Sequence, residues 1–418
     1  MSRKKIIIGV IIDTAFKIPP NTGVTYRLYY LSRELSKLGL KVKLFLCNRN
    51  IKSDNNLNLL FEKSEIEYHI IPEYIFYDIK KLFSIILKNK PDILQFEDCQ
   101  TLIRCRRIWS ELNIPICLEM HDVEAILKKY LGFSHKEIEE AERITKDACL
   151  VSDQVVCMTP LDLKQLVENK LVDKKKINIS PNPIDTNEFM FCGPNLKSFN
   201  IIFVGNMFYW PNYNAVKLII NEVFPRLRHI KKLKFYFVGM FPKRLKNINK
   251  SNQILFTGSV DNLNKYLRKS SIALCPVKEG SGMKVKILNY CSAGLPVITT
   301  KIGASGYENI KSLIVEDDIE KYADIINTLY FKKNNLLRIG KMNRSYVKKY
   351  FDIKKIATKM INVYNKLLKN YKHKYGFDVN LENINDLLWL KEKRLSIVKN
   401  KNYYIIQDGK VIFKEKSS

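Results

Sequence analysis

Between Pro276 and Thr300 the chain reads PVKEGSGMKVKILNYCSAGLPVITT, and the first half of that stretch has the residue types of an anion site. Glu279-Gly280-Ser281-Gly282 is a turn too rich in small residues to be core. Lys284 and Lys286 follow it, and the apolar run after them stops at Gly294 and Pro296. A glycine turn opening into a helix leaves backbone N–H groups without intrahelical partners, and the helix dipole draws negative charge to that end. Two lysines beside it point to one phosphate or two. The plainer alternative for each lysine is a solvated helix start. A second polar pair, His121-Asp122, closes the apolar run Pro115 to Met120. Open α/β sheets bind ligands at the carboxyl ends of their strands, which makes this pair a candidate too. Its alternative is an ordinary strand-end histidine. No Asp-x-Asp sits at a strand end; Glu316-Asp317-Asp318 reads as a loop and helix start, and no metal site is expected.

The elements that must position these groups alternate between strand and helix. Ile6 to Ile12 is a continuous β-branched run, the pattern of a buried parallel strand. The loop Pro19 to Gly23 leads to a helix over Val24 to Lys37, with Leu28, Leu31, Leu35 and Leu38 on one face, and Lys41 to Cys47 returns as strand. This is a Rossmann-like unit, but it lacks GxGxxG, so no dinucleotide cofactor is implied. Strands at Tyr68–Ile71, Ile93–Phe96, Pro115–Met120, Gln154–Cys157 and Lys176–Ser180 alternate with helices at Asp78–Lys88, around Arg104, Arg106 and Arg107, at Lys136–Leu150 and at Pro160–Asn169. They complete a first domain set at residues 1–190. After Pro181-Asn182-Pro183 a second series begins. Its strands are Phe199–Val204, Lys234–Val238, Ile254–Phe256, Ile272–Cys275, Leu295–Thr299 and Leu313–Val315. Its helices fall at Asn212–Arg228, at Asp261–Lys269 and after the glycine turn, which sets a second domain at residues 195–350. A helix over 351–371 is expected to pack back toward the first domain. Residues 372–418 form an appendage with a helix at Leu387–Val398 and two short strands around Asp408-Gly409. The expected fold class is therefore α/β, two Rossmann-like doubly wound domains facing a cleft, with a small C-terminal appendage.

Composition narrows the partners. The 418 residues carry 71 Lys and Arg against 42 Asp and Glu, a net charge of +29, and Arg226 to Asn252 holds no acid at all. Such a surplus suits an anionic substrate, nucleic acid or an anionic membrane face, although a composition biased toward Lys, Asn and Ile is the plainer source. No nucleic-acid module or aromatic–basic interleaving is present, so nucleic acid is set aside. Nine cysteines without a CxxC pair point to reduced thiols in a cytoplasmic protein, against a disulfide framework or zinc site. Nothing approaches the roughly 20 apolar residues of a spanning helix. Ile6 to Ile12 is too short for a signal-peptide core. The expectation is a cytoplasmic protein, with peripheral contact to the anionic inner leaflet as one use of the charge. Asp78 to Lys90, with Leu82, Ile85 and Ile86 among four lysines, is the candidate surface; the inner face of a Rossmann helix is the alternative.

At this point the residues resemble the retaining, nucleotide-sugar-dependent glycosyltransferases of GT-B architecture, in the bacterial group 1 (family four) branch of capsule, lipopolysaccharide and exopolysaccharide assembly. The resemblance covers about residues 5–370. Its most specific parts are FVGNMFYWPNYNAV at Phe203–Val216, FTGSV at Phe256–Val260, and EGSGMKVKIL with AGLPVITT. PNTGV at Pro20–Val24, KPDILQ at Lys90–Gln95, His121-Asp122 and PNPIDTNEF at Pro181–Phe189 match more weakly. The resemblance implies that Gly23 lets backbone approach a donor phosphate and that His121 lies near the transferred sugar and the acceptor. It implies that Gly205 and Asn206 line the phosphate site, and that Gly280, Ser281 and Gly282 offer backbone N–H groups to the distal phosphate. Lys284 and Lys286 would neutralise the leaving diphosphate, and Glu279 would face hydroxyls of the donor sugar.

Two positions depart from the family pattern. The carboxylate that usually takes both ribose hydroxyls is replaced by Asn289, whose amide offers one acceptor oxygen rather than two. The loop Met207 to Asn214 also lacks the Arg and Lys that many relatives carry. The resemblance implies a metal-independent transferase without a cofactor. It would take a nucleotide diphosphate sugar as donor and a glycan or lipid-linked acceptor, in cell-surface polysaccharide synthesis. The alternatives are a non-catalytic GT-B homologue that binds a partner transferase or glycan, and a nucleotide-sugar epimerase.

Overall fold

The computed structural model describes residues 5–13, 22–48, 66–105, 114–248, 251–280, 282–371, 403–407 and 410–414. The appendage helix expected at Leu387–Val398, the turn Asp408-Gly409, and Arg106, Arg107 and Ser281 lie outside them. Two parallel sheets dominate. The first contains β1 (Ile7–Ile12), β2 (Lys41–Asn48), β3 (Glu67–Pro72), β4 (Ile93–Phe96), β5 (Ile116–Met120), β6 (Gln154–Cys157) and β7 (Ile177–Ile179), in the order β3-β2-β1-β4-β5-β6-β7. The second contains β8 (Asn200–Val204), β9 (Lys234–Val238), β10 (Ile254–Gly258), β11 (Ile272–Cys275), β12 (Val297–Thr299) and β13 (Ile314–Val315), in the order β10-β9-β8-β11-β12-β13. This is the doubly wound two-sheet α/β fold expected from the alternation. The strand order reverses between β1 and β4 in one sheet and between β8 and β11 in the other. Crevices at such switch points are where these sheets hold ligands.

The strands read as unbroken apolar runs because helices cover both faces; Ile8, Ile11 and Ile12 of β1 and all of β11 are buried. Along α1 (Gly23–Lys37), Leu28, Leu31 and Leu35 are buried as the periodicity requires. Leu38 is not. It is the C-cap, outside the helix proper, and is 44% exposed. In α2 (Ile79–Asn89), Leu82, Phe83 and Ile86 belong to the core. That stripe is therefore the inner face of a Rossmann helix and is not free to lie on a membrane. Among the described residues no helix is long and apolar enough to cross one. The single helix expected over Asn212–Arg228 is three segments: α-helical Trp210–Leu218, a π-helical turn over Ile219–Val223, and a 3-10 turn over Phe224–Leu227. Pro225 has no N–H to donate, so the ladder cannot continue through it, and Phe224 N–H reaches back five residues to Ile219 O. The expected Asp261–Lys269 helix shrinks to one turn at Asn264–Leu267. Three short features were not expected: the seven-residue helix Glu124–Tyr130, here α4 after α3 (Cys99–Arg104), and single helical turns at Glu73–Phe76 and Lys243–Lys246.

α5 (His135–Val151) and α6 (Pro160–Glu168) follow in the first half, α7 (Trp210–Leu218) and α8 (Val285–Ala293) in the second. α9 (Lys321–Phe331), α10 (Lys333–Tyr350) and α11 (Ile353–Asn370) then end the compact part. β14 (Tyr403–Gln407) and β15 (Lys410–Lys414) pair antiparallel beyond it. The chain crosses between the sheets twice, out through residues 180–199 and back through α11, which packs on α1. The outward crossing is fastened by Arg344 of α10, whose guanidinium donates to the carbonyls of Thr186, Phe189 and Ser292 at 2.7–2.9 Å. Gly294, at φ +80°, ends α8 where a Cβ would overlap the ring of Phe191 from the same crossing.

Beneath the first sheet's crevice lies a polar cluster. Arg27 of α1 and Glu119 of β5 form an ion pair with both side chains 1% exposed, and the guanidinium also donates to Pro181 O at 2.7 Å and Ser180 Oγ at 3.0 Å. Removing one member of such a pair leaves a buried charge uncompensated, at a cost of about 3–5 kcal/mol. Arg27→Met is accordingly expected to lower unfolding free energy by about that amount in a urea titration. A loss below about 1 kcal/mol, typical of a surface pair, would contradict the structural role given to Arg27.

Candidate active site

The glycine turn after β11 and the first turn of α8 sit against the carboxyl end of β5, from the other sheet. Gly282 has φ +67°, and a Cβ there would overlap Asp122 Oδ1 and press to 2.6 Å from His121 O. Only glycine brings the two backbones so near. Gly280 faces Tyr209 and Leu127 of α4, with Lys284 Nζ 3.8 Å from where its Cβ would be. Gly23 is the first residue of α1, and a Cβ on it would lie 3.4 Å from Val285 Cγ2, the first residue of α8. Two helix N-termini thus converge from opposite sheets, and their dipoles add. Thr22 and Thr25 cap α1 in a capping box, whereas α8 has no side-chain cap. The uncapped start of α8 leaves backbone N–H groups without side-chain partners among the described residues, the kind of helix end that suits an anion.

Lys284 is the N-cap of α8, and its Nζ donates to Gly282 O at 3.0 Å, folding over the turn. Burial lowers its pKa, while Asp122 and Asp162 across the crevice work the other way. Asp162 itself is pushed up to about 6, chiefly by burial. Lys286 Nζ donates to Asn212 Oδ1 at 2.5 Å and stands 4.1 Å from the centre of the Phe203 ring. Burial, with Lys284's charge adding to it, lowers its pKa to about 8. A Cβ on Gly205 would approach to 3.0 Å from that Nζ, so the loop after β8 and the second lysine meet. Neither lysine is a solvated helix start. Asn206 turns inward on its own loop: its Oδ1 accepts from Phe208 N and its carbonyl from Asn212 Nδ2. Glu279 Oε1 accepts from Asn214 Nδ2 at 3.3 Å. Asn289, one turn beyond Lys286 on the same helix face, is 8% exposed, and its Oδ1 has no hydrogen-bond partner among the described residues.

His121 is held by a residue that its motif does not announce. Its Nε2 lies 2.9 Å from Glu97 Oε2, at the carboxyl end of β4. Gln95 Nε2 donates to Glu97 Oε1 at 2.7 Å and to Glu119 Oε2 at 3.0 Å, and Gln95 Oε1 accepts from Tyr364 of α11 at 2.5 Å. Glu97, Glu119 and His121 have atoms spaced as a metal ion would need. That geometry is already served by other groups, because Arg27 is the cation on Glu119 and Gln95 donates to both carboxylates. The signal for this cluster was present as Gln95-x-Glu97 and Glu119-x-His121: polar or charged residues at period two, running from within otherwise apolar strands to just past their ends.

Two family models match in tandem. Glycosyltransferase Family 4 matches residues 21–188, and Glycosyl transferases group 1 matches residues 198–331. Among curated proteins, the O-antigen biosynthesis glycosyltransferase WclY of Escherichia coli is 26% identical over 212 residues, 46% of this chain and 57% of the relative, so the match spans little more than half of that protein's length. The fold is shared with a glycosyltransferase from Rickettsia africae (TM-score 0.68, 17% identity, 88% of this chain and 99% of that one). It is shared also with the Anabaena protein HepE, solved with UDP and glucose (TM-score 0.69, 13% identity, 86% and 100%). A lipopolysaccharide outer core galactosyltransferase, WaaB, is similar too (TM-score 0.60, 15% identity, 86% and 100%). With both halves matched and the two-sheet GT-B fold in place, the protein belongs to the group 1 glycosyltransferases.

Proposed function

We propose that this protein is a retaining glycosyltransferase that moves a sugar from a nucleotide diphosphate sugar to a glycan or lipid-linked acceptor in O-antigen-type polysaccharide synthesis. The observation that carries this is the convergence of the α1 and α8 N-termini, with Lys284 and Lys286, on the crevice that His121 and Asp122 close. A diphosphate placed there would meet backbone N–H groups, two helix dipoles and two ammonium groups. Such fixed charge is worth most where negative charge grows as the glycosidic bond breaks. The proposed sequence is departure of the nucleoside diphosphate with same-face attack by the acceptor hydroxyl, through an oxocarbenium-like transition state. Lysines and helix ends supply the neutralising charge, so no metal or other cofactor is invoked. Glu279, set by Asn214, is assigned to hydroxyls of the donor sugar. Asn289, with its buried and unpartnered amide oxygen, is assigned to one ribose hydroxyl. The names of WclY and WaaB and the UDP and glucose held by HepE support the substrate classes.

One observation favours a second class. Asn289 stands where a carboxylate is the family norm, and the 207–214 loop has no basic residue, which fits a non-catalytic homologue that binds a partner or glycan. Incubation with a panel of nucleotide sugars separates the two: sugar transfer or donor hydrolysis is expected, and binding without turnover of any donor would favour the homologue.

The lysines give two further expectations. Lys284→Ala with Lys286→Ala should reduce transfer by about 10²–10³-fold with melting little changed, the scale of losing fixed transition-state charge. Unchanged transfer would remove the diphosphate from this crevice. Lys286 is cationic only below about pH 8, so UDP affinity measured by calorimetry should weaken as pH rises through that value, and Lys286→Ala should flatten the dependence. An affinity indifferent to pH in the wild type would contradict the contact.

A further inference from the structure

The cluster under the crevice assigns a role to Glu97. It is 3% exposed at the end of β4, and one carboxylate oxygen sits 2.9 Å from His121 Nε2. The other oxygen is fixed by Gln95 Nε2 at 2.7 Å. Gln95 cannot turn over, because Tyr364 donates its hydroxyl proton to Oε1 and so directs Nε2 at the carboxylates. His121 Nδ1, in contrast, is buried and has no hydrogen-bond partner among the described residues. One ring nitrogen is thus committed to protein, and the other is the atom left for a ligand.

We propose that Glu97 is the positioning residue of His121: it keeps Nε2 protonated and the ring oriented, so that Nδ1 can carry a proton and donate a hydrogen bond to an electron-rich oxygen of the bound donor. This rests on the function proposed above. A carboxylate fixes both the tautomer and the basicity of a hydrogen-bonded imidazole. The charged groups facing His121 favour the cation on balance. Burial opposes it, but the Glu97 hydrogen bond and the charges of Glu97 and Glu119 outweigh that, with Arg27 opposing weakly, and the ring binds its proton more tightly than usual. Asp98 adds a carboxylate from the start of α3, itself raised by burial. The imidazolium is therefore present below the raised pKa and is lost above it, and replacing Glu97 by a neutral isostere moves that loss to lower pH.

The test uses the full chain with 15N-labelled histidine. Five histidines are present, and His121→Asn identifies the relevant ring. In the wild type, Nε2 is expected to stay protonated throughout the titration, with Nδ1 losing its proton at a higher pH than an exposed histidine. In Glu97→Gln, proton affinity should fall by about tenfold or more, the scale of one charge-assisted hydrogen bond. With it the alkaline limb of kcat should move to lower pH, while UDP affinity stays within about twofold, a split that a general loss of structure would not give. A wild-type neutral ring protonated at Nδ1 overturns the proposal without any variant, as does an unchanged titration in Glu97→Gln. If the Gln variant does not fold, Glu97→Asp, which keeps the charge but shortens the reach, should give an intermediate shift; no shift overturns the proposal. A ring that responds as expected in a protein that transfers no sugar leaves this inference standing and removes the function above.

Discussion

Two carboxylates, Glu97 and Glu119, lie side by side under the crevice, almost wholly out of water, and much of the molecule's connectivity exists to make that tolerable. An uncompensated buried charge would cost several kcal/mol, so each oxygen needs a donor. Arg27 comes from α1, Gln95 from β4 and His121 from just past β5, while Tyr364 of the last long helix donates to Gln95 Oε1 and so turns that amide toward the carboxylates. Arg27 also grips Ser180 and Pro181, where the chain leaves the first sheet. One network therefore fixes the direction of α1, the start of the crossing and the seat of α11. Those three together decide how the second sheet's glycine turn meets the first.

The same constraint explains the shape of the candidate site. The His121 ring is held from below by Glu97, and from above Gly282 approaches the His121-Asp122 backbone as closely as a residue without a side chain can. Lys284 lies between this contact and Asp162, and Lys286 is wedged between Phe203 and Asn212. Neither ammonium is well solvated, which is why both hold their protons less tightly than a free lysine. A lysine that gives up hydration when the protein folds is primed to regain it as contact with an anion.

Much of this was legible in the sequence. Continuous β-branched runs, glycine stops and the strand–helix alternation placed both sheets, because parallel strands buried on two faces leave that pattern. The glycine turn and its lysines were legible for a similar reason: small residues and cations before an apolar helix have few other uses. What the pattern could not show was long-range partnership. Glu97 and Glu119 lie in different strands, Arg27 in a helix, and Tyr364 is 269 residues from Gln95. Only the strand order β1-β4-β5 brings them together. The π-helical and 3-10 turns after α7 escaped for a local reason: Pro225 lies inside the stretch Asn212–Arg228 that was expected as one helix, and its missing N–H breaks the ladder there. Leu82 and Ile86 show the reverse case, an amphipathic stripe with two possible neighbours, which packing resolved in favour of the core.

The central claim is that a single anion site is built jointly from both halves, at the meeting of α1, α8 and the β5 end. Hydrogen exchange with and without UDP tests it most directly, because the amides that would bind phosphate are backbone groups that side-chain substitution cannot remove. Slowed exchange is expected together at the starts of α8 and α1 and in the loop after β8, with little change in β14 and β15. Protection confined to one half, or absent from the first turn of α8, would contradict it.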